Sequence, residues 1–280
     1  MKKLLFILSL YCSFFTFGQS KEISHYITNE INWKENDTVY LFGNNVKFRE
    51  HPNTDANNKV LDTLPIGAEL RVIEVSKKTY NYNGIDYPWV MVQHDYEIGY
   101  VLSGLIANSK LEYQGEEFYI LGYKKPSDNP FDTNVVTKIR AKKSNDEVVE
   151  QEIRFIKNHV YFSIYDAKGL EYVDNVVRIS TLTESCGDTS IENYFTFSKE
   201  NGFQLIFGTN IVADGGYSTV EEIIFPSDKF GENDKIILLD TSYDYADDEE
   251  LISIEYTEKY EFAWPQENIN EKIKKALKRK

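Results

Sequence analysis

The sequence predicts an all-β protein in which a small barrel precedes a larger antiparallel β-sandwich or open barrel, with a helix at the C-terminus. Across residues 36–264 the apolar runs are short and turn residues separate them, which is typical of strands. Helical spacing follows Pro265, where Ile269, Ile273 and Leu277 recur every four residues. Hydrophobic residues make up 41% of the 280 residues, so the chain can form real cores and is not wholly disordered.

Residues 1–18 have the features of a secretory signal peptide. Two lysines precede an apolar run from Leu4 to Phe17, and small residues follow it. This run is shorter than the ~20 apolar residues of a membrane-spanning helix, so we expect cleavage before Gln19 and no transmembrane segment. An uncleaved anchor and lipid attachment at Cys12 are the alternatives, but a bulky residue precedes that cysteine. We therefore expect an exported protein, periplasmic or extracellular, in which residues 19–35 are a linker.

The chain is acidic, with 45 Asp and Glu residues against 31 Lys and Arg residues and a formal net charge of −14. A nucleic-acid binder needs a basic surface that neutralises phosphates, so we expect no nucleic-acid partner. Loss of the signal peptide removes Cys12 and leaves Cys186 as the single cysteine. An internal disulfide is thereby excluded, and packing must stabilise the exported protein.

Residues 36–107 have the pattern of a small barrel. Alternating apolar residues in 45–49 and 68–72 predict strands with one buried face. Ile73 and Val75 break the second alternation, which predicts a β-bulge or bend at that point. Several short strands in so few residues, without helical periodicity, indicate a compact barrel or sandwich.

The order of motifs in this segment resembles the bacterial SH3 (SH3b) family. The matching elements are V-K-F-R at 46–49, Pro52, L-P-I-G at 64–67, W-V-M-V at 89–92 and G-Y-V at 99–101. The chain departs from the family pattern in two ways. The two residues before Pro52 do not have the small side chains that are usual there, and the segment before Trp89 is longer. We expect Phe48, Leu70, Trp89 and Val101 to converge in one SH3-like core.

The resemblance implies a noncatalytic recognition module, because SH3b domains accompany cell-wall hydrolases and envelope proteins, and several bind peptidoglycan or short peptides. A small barrel has little interior volume, so a ligand binds on its outside. We expect a groove between the loop Glu50–Lys59 and a tyrosine-rich insertion, because aromatic rings stack on sugars or peptides and phenols orient them. The candidate ligand-binding residues are His51, Asn53, Asp55, Tyr80, Tyr82 and Tyr87. Alternatively, the tyrosines shield the barrel end and the loop is merely solvated.

Residues 112–264 have roughly nine or ten strand signals, which suit a meandering antiparallel sandwich or an open barrel. Two stretches, 184–187 and 214–226, are similar to uncharacterised secreted proteins that also carry an SH3-like domain. Residues 265–280 predict an amphipathic helix whose last turns are basic, which favours its dipole. This helix either caps the fold or touches an anionic surface.

No motif in the sequence predicts catalysis, a metal site or a cofactor. Nucleophilic catalysis by Cys186 needs an oriented imidazole, but every histidine precedes this cysteine, whereas the peptidases that SH3b domains accompany place the histidine later. The acidic run at 244–250 and the polar run at 53–57 lack the glycine and distal glutamate of a calcium loop. Both runs are better explained as solvated loops.

Three functional hypotheses follow. The first is an exported noncatalytic binding protein whose SH3b-like module recognises peptidoglycan or an envelope protein or peptide. The second is a secreted hydrolase that uses carboxylates in residues 112–264, which predicts a pocket with two close acids of raised pKa. The third is a structural or inhibitory partner protein, which predicts an extensive apolar interface between the two halves and no open groove near Tyr82.

Overall fold

The computed structural model describes residues 23–27, 32–124, 135–155, 160–181, 189–214, 217–245, 252–265 and 268–277. The predicted signal peptide, His159, Cys186 and positions 246–250 of the acidic run lie outside these residues. The described residues are mostly β, as the sequence predicts, and form three antiparallel sheets and one α-helix.

The strands of the first half are β1 (Ile23–Ile27), β2 (Thr38–Tyr40), β3 (Val46–Arg49), β4 (Val60–Leu64), β5 (Glu69–Tyr82), β6 (Ile85–His94), β7 (Glu97–Leu102), β8 (Ser109–Tyr113) and β9 (Glu116–Lys124). The second half holds β10 (Val135–Lys142), β11 (Val148–Phe155), β12 (Val160–Tyr165), β13 (Asn175–Thr181), β14 (Thr189–Ser198), β15 (Gly202–Asp214), β16 (Tyr217–Ile224), β17 (Lys235–Tyr245), β18 (Ile252–Ala263) and helix α1 (Ile269–Leu277).

Strands β2 to β7 form the small barrel, a six-stranded sheet in the order β2-β5-β6-β7-β3-β4. It curls around one core to which all six strands contribute, including Phe48, Leu70 and Val101. Trp89 is buried but is not a member of this core. Its neighbour Val90 points into the core, so the alternation of the strand turns Trp89 to the other face, where its ring contacts Tyr80.

The predicted bulge in β5 is confirmed. The β5–β6 pairing shifts register between Val72 and Glu74 and again between Val75 and Thr79. Beyond these shifts the two strands continue as a hairpin that ends where Tyr82 pairs with Ile85. The long segment before Trp89 is therefore a hairpin extension of the barrel, which we call the arm (residues 77–88).

Strands β8 to β11 form a four-stranded sheet that is the middle layer of the molecule. Strand β9 buries both faces, because Phe118 and Ile120 pack against the eight-stranded sheet while Tyr119 and Leu121 pack towards the barrel. The barrel contributes Phe42, Ile66 and Ala107 to this second contact. Both faces of the middle sheet are thus covered, each by a different neighbour.

The third sheet has eight strands in the order β1-β12-β13-β14-β15-β16-β17-β18, a meander apart from β1. One face packs on the middle sheet, which makes the predicted sandwich. A second hydrophobic core on this sheet contains α1. Ile269 and Ile273 of α1 are fully buried in it, so the predicted helix packs on the fold. Strand β1 pairs with β12 inside the segment predicted to be a linker. No helix in the described part of the chain is both long enough and apolar enough to cross a membrane.

Candidate binding site

A cavity of about 770 Å³ opens where the barrel and its arm meet the middle sheet. This volume lies within the usual range for ligand sites in proteins, which are often found where two structural units meet. The barrel lines the cavity with Phe42, Asn44, Tyr82, Tyr87 and Leu105, among others. The middle sheet contributes Leu121, Tyr123, Lys138, Arg140, Val148 and Glu150.

On the barrel side, the arm presents two aromatic rings to the cavity. Tyr82 stands at the end of β5 and Tyr87 near the start of β6. The ring of Tyr87 lies against Gly104, where a Cβ atom would come within 2.7 Å of the ring carbons. Because Gly104 has no side chain, the Tyr87 ring has room to lie against the backbone at this position.

On the sheet side, strand register places the polar lining residues together. Leu121 of β9 is opposite Lys138 of β10, and Arg140 of β10 is opposite Glu150 of β11. Directly opposed residues of antiparallel strands share a face, so these side chains all point towards the barrel. Tyr123 lies two residues beyond Leu121 and shares that face.

Arg140 connects the two sides of the cavity. Its Nη1 donates a hydrogen bond of 2.8 Å to the carbonyl oxygen of Phe42, and its guanidinium carbon lies 4.3 Å from the centroid of the Phe42 ring. Its Nε donates to Glu150 at 2.7 Å. The planar guanidinium thus makes a stacking contact and two directed hydrogen bonds at once, which a lysine cannot do.

Lys138 completes a charged group on the cavity wall. Its ammonium lies 2.7 Å from Glu150 and 3.4 Å from Glu152. Among the described lining residues, two cations thus face one carboxylate, although the whole chain carries a charge of −14. The cavity is locally more positive than the protein that surrounds it.

The protonation states follow from these contacts. Burial raises the pKa of Tyr87 to about 12, with further contributions from Tyr123 and Tyr82, so its phenol remains a hydrogen-bond donor at neutral pH. Burial alone would raise the pKa of Glu150, but hydrogen bonds from Lys138 and Arg140 outweigh it and lower that pKa. Glu150 is therefore ionised, and it holds both cations in place.

Of the residues predicted to bind a ligand, Tyr82 and Tyr87 line this cavity together. Tyr80 is not a lining residue, and its ring contacts Trp89 at a centroid distance of 6.3 Å. His51, Asn53 and Asp55 lie in the β3–β4 loop and do not line the cavity either. The structure thus brings together two of the six predicted residues.

The β3–β4 loop is organised by Asn58, a buried residue outside the predicted site residues. Its side-chain oxygen accepts a hydrogen bond from the backbone of His51, and its amide donates to the carbonyls of His51 and Asn53. The backbone of Asp55 in turn donates to the Asn53 side chain. These groups shape the loop, and the His51 side chain projects into solvent.

The middle-sheet half of the cavity is not among the predicted site residues. Lys138, Arg140 and Glu150 fall on strands whose alternate residues are largely apolar, a pattern that normally indicates a solvent-facing side. Their one distinguishing signal is that opposite charges sit directly across two neighbouring strands. That signal predicts an ion pair and does not reveal that the barrel covers it.

The described residues offer little support for metal or carboxylate chemistry. They contain no group of three His, Cys, Asp or Glu side chains arranged to hold a metal ion. Contacts with cations lower the pKa of the Glu117, Glu150 and Glu232 carboxyl groups. The hydrolase hypothesis expects the opposite direction in a pair of close acids.

Comparisons with models of protein families, with curated proteins and with solved structures find no match to this chain. The proposed function therefore rests on the geometry and chemistry of the site.

Proposed function

We propose that this is an exported, noncatalytic binding protein whose cavity holds a component of the cell envelope, with peptidoglycan as the first candidate. The observation that carries the proposal is the meeting of Tyr82, Tyr87 and Tyr123 with Lys138 and Arg140 in one cavity. We place the ligand in the cell envelope because the barrel has SH3b-like motifs, and SH3b domains accompany envelope proteins.

The lining chemistry suits such a ligand. Phenol rings offer flat apolar faces and neutral hydroxyl donors, which contact sugar rings and peptide groups. Lys138 and Arg140 attract carboxylates, and the short peptides of peptidoglycan carry carboxylates. An acidic protein is repelled by anionic polymers at long range, so recognition depends on these short-range contacts inside the cavity.

One observation favours this function over a purely structural partner. The barrel and the middle sheet do share an apolar contact, formed by Phe42, Ile66, Ala107, Tyr119 and Leu121. A packing role alone predicts that this contact closes the space between the two units. Instead, a large cavity opens beside it at Tyr82.

The proposal is tested by sedimenting purified peptidoglycan with the protein. We expect the wild-type protein to be retained and the Tyr82→Ala/Tyr87→Ala variant to remain in solution. Tyr96→Ala is the matched control, because Tyr96 is fully exposed and is not a lining residue. Tyr82→Ala alone is included because Tyr82 is 39% exposed and its loss leaves the core intact. A wild-type protein that is not retained refutes peptidoglycan as the ligand.

A further inference from the structure

A second, smaller pocket lies on the eight-stranded sheet, and its chemistry differs from that of the cavity. It has a volume of about 400 Å³ and is formed by three separate parts of the chain. These are the loop around Tyr172 between β12 and β13, the β14–β15 hairpin, and residues 264–265 that follow β18. Among the described residues that line it, none is cationic, and Glu171 is the single charged one.

Tyr172 is the first reason to regard this pocket as a binding site. The residue is 78% exposed, and its backbone has φ of 62°, in the left-handed region that residues other than glycine rarely adopt. A bulky residue held in this conformation costs conformational energy, and such outliers cluster at binding sites. Single exposed aromatic residues are common, but one that is also held in strained backbone needs a cause.

Trp264 fixes the loop that carries Tyr172. The Trp264 side chain is buried, and its indole N–H donates a hydrogen bond of 2.9 Å to the carbonyl oxygen of Glu171. At the start of the same loop, Lys168 forms an ion pair of 3.0 Å with Asp228. The exposed ring of Tyr172 therefore stands on a loop that is anchored at both of these points, ready for a ligand to stack on it.

The hairpin side of the pocket supplies amide and hydroxyl groups. Ser198 accepts a hydrogen bond from the backbone of Asn201, and the Thr196 hydroxyl donates to the carbonyl of Gln204 at 3.4 Å. The amide side chains of Asn201 and Gln204 make no hydrogen bond with other described residues, and both residues are exposed. Each offers a donor and an acceptor side by side.

These groups together fit a neutral, polyhydroxylated ligand. Phosphorylated or carboxylated ligands gain their strongest contacts from a cation, and the described residues that line this pocket include none. A sugar ring has an apolar face for Tyr172 and neighbouring hydroxyls for a planar amide. We propose that this pocket binds a neutral oligosaccharide, with Tyr172 as the stacking platform and Asn201 and Gln204 as hydrogen-bond partners.

The test is isothermal titration calorimetry of the purified protein with three probes, namely the tetramers of N-acetylglucosamine, β-linked glucose and α-linked glucose. We expect at least one to bind at millimolar concentration or below. Tyr172→Ala lowers the affinity at least about tenfold, and Gln204→Ala weakens binding as well. Phe230→Ala is the matched control, because Phe230 is 71% exposed but does not line the pocket, and it leaves the affinity unchanged.

Tyr172→Gly separates binding from folding. Glycine adopts positive φ without strain, so this variant keeps or raises the melting temperature while it loses oligosaccharide binding. If Tyr172→Gly binds as tightly as the wild type, the inference is overturned, and so it is if the wild-type protein binds none of the three probes.

The experiment also keeps this inference apart from the proposed function. The Tyr82→Ala/Tyr87→Ala variant retains full affinity for the oligosaccharide if the two sites are separate. If that variant loses the affinity and Tyr172→Ala keeps it, the oligosaccharide binds in the cavity and the second site does not exist.

Discussion

Arg140 of the middle sheet stacks on the ring of Phe42 in the barrel and donates a hydrogen bond to its carbonyl, although the two residues are 98 positions apart in the chain. The Phe42 backbone is itself held to the barrel, because its N–H donates to the carbonyl of Leu105 at 2.9 Å. One side chain thus joins two units that each have a core of their own, at the edge of the cavity between them.

We therefore expect Arg140→Ala to destabilise the protein. The variant loses a hydrogen bond to a charged group and leaves Glu150 with Lys138 as its remaining partner, which lowers the free energy of unfolding by roughly 1.5–3 kcal/mol. Urea unfolding followed by circular dichroism measures this change. Arg71→Ala, at an exposed arginine of the barrel, is the control and stays within about 0.5 kcal/mol of the wild type. Equal effects of the two substitutions would contradict a connecting role for Arg140.

Gly67 and Gly84 form a matched pair for testing the contact between barrel and middle sheet. Both have φ near +80°, but a Cβ at Gly67 would lie 2.7 Å from Cζ of Tyr119, whereas one at Gly84 meets nothing within 4 Å. Alanine at either position costs about 1–2 kcal/mol for the left-handed backbone. Gly67→Ala costs roughly 1–3 kcal/mol more, because Tyr119 must move within a packed contact. Identical melting temperatures for the two variants would show that Tyr119 is not held against the barrel.

The Glu150 carboxylate makes the stability depend on pH in a defined direction. Its pKa is lower in the folded protein than the ordinary 4.5, so its stabilising contribution is complete above pH 4.5 and is lost as the pH falls below that value. We expect Glu150→Gln to flatten the fall in unfolding free energy over this acidic range. Glu147→Gln is the comparison, because the Glu147–Lys143 pair is more exposed and is screened by solvent. A fall as steep as in the wild type would exclude Glu150 as its source.

Helix α1 is expected to stabilise the fold through its two buried isoleucines. Ile273→Ala leaves a cavity in the core that α1 shares with the eight-stranded sheet, which costs about 2–5 kcal/mol. The same substitution at Ile98, which is 58% exposed, costs less than about 1 kcal/mol. Thermal unfolding of both variants compares them directly, and a small effect at Ile273 would mean that α1 is dispensable for stability.

The barrel was predictable because its signals are local. Alternation in 45–49 and 68–72 identified strands with one buried face, and the break at Ile73 marked the bulge. The spacing of Ile269, Ile273 and Leu277 identified α1 for the same reason. In each case a few neighbouring residues decide which side chains point the same way, so a short window of sequence contains the answer.

Other features were hidden because they depend on distant partners. Strand β1 gains its place through backbone pairing with β12, which has no side-chain signature in the segment itself. Trp89 fits the family motif, yet the alternation around Val90 turns it away from the barrel core. The predicted groove included the β3–β4 loop, whereas Tyr82 and Tyr87 instead share their cavity with the middle sheet.

The order of polar and apolar residues by itself determined the all-β class, several strands of the barrel and the packing side of the terminal helix. Only the tertiary structure decided that the charged face of β10 is covered by the barrel, and that three distant segments meet around Tyr172. The physical reason is that these properties are decided over different distances along the chain. The direction of a side chain is set by its own strand, but the surface that covers it is chosen by the packing of whole sheets, which no short stretch of the chain encodes.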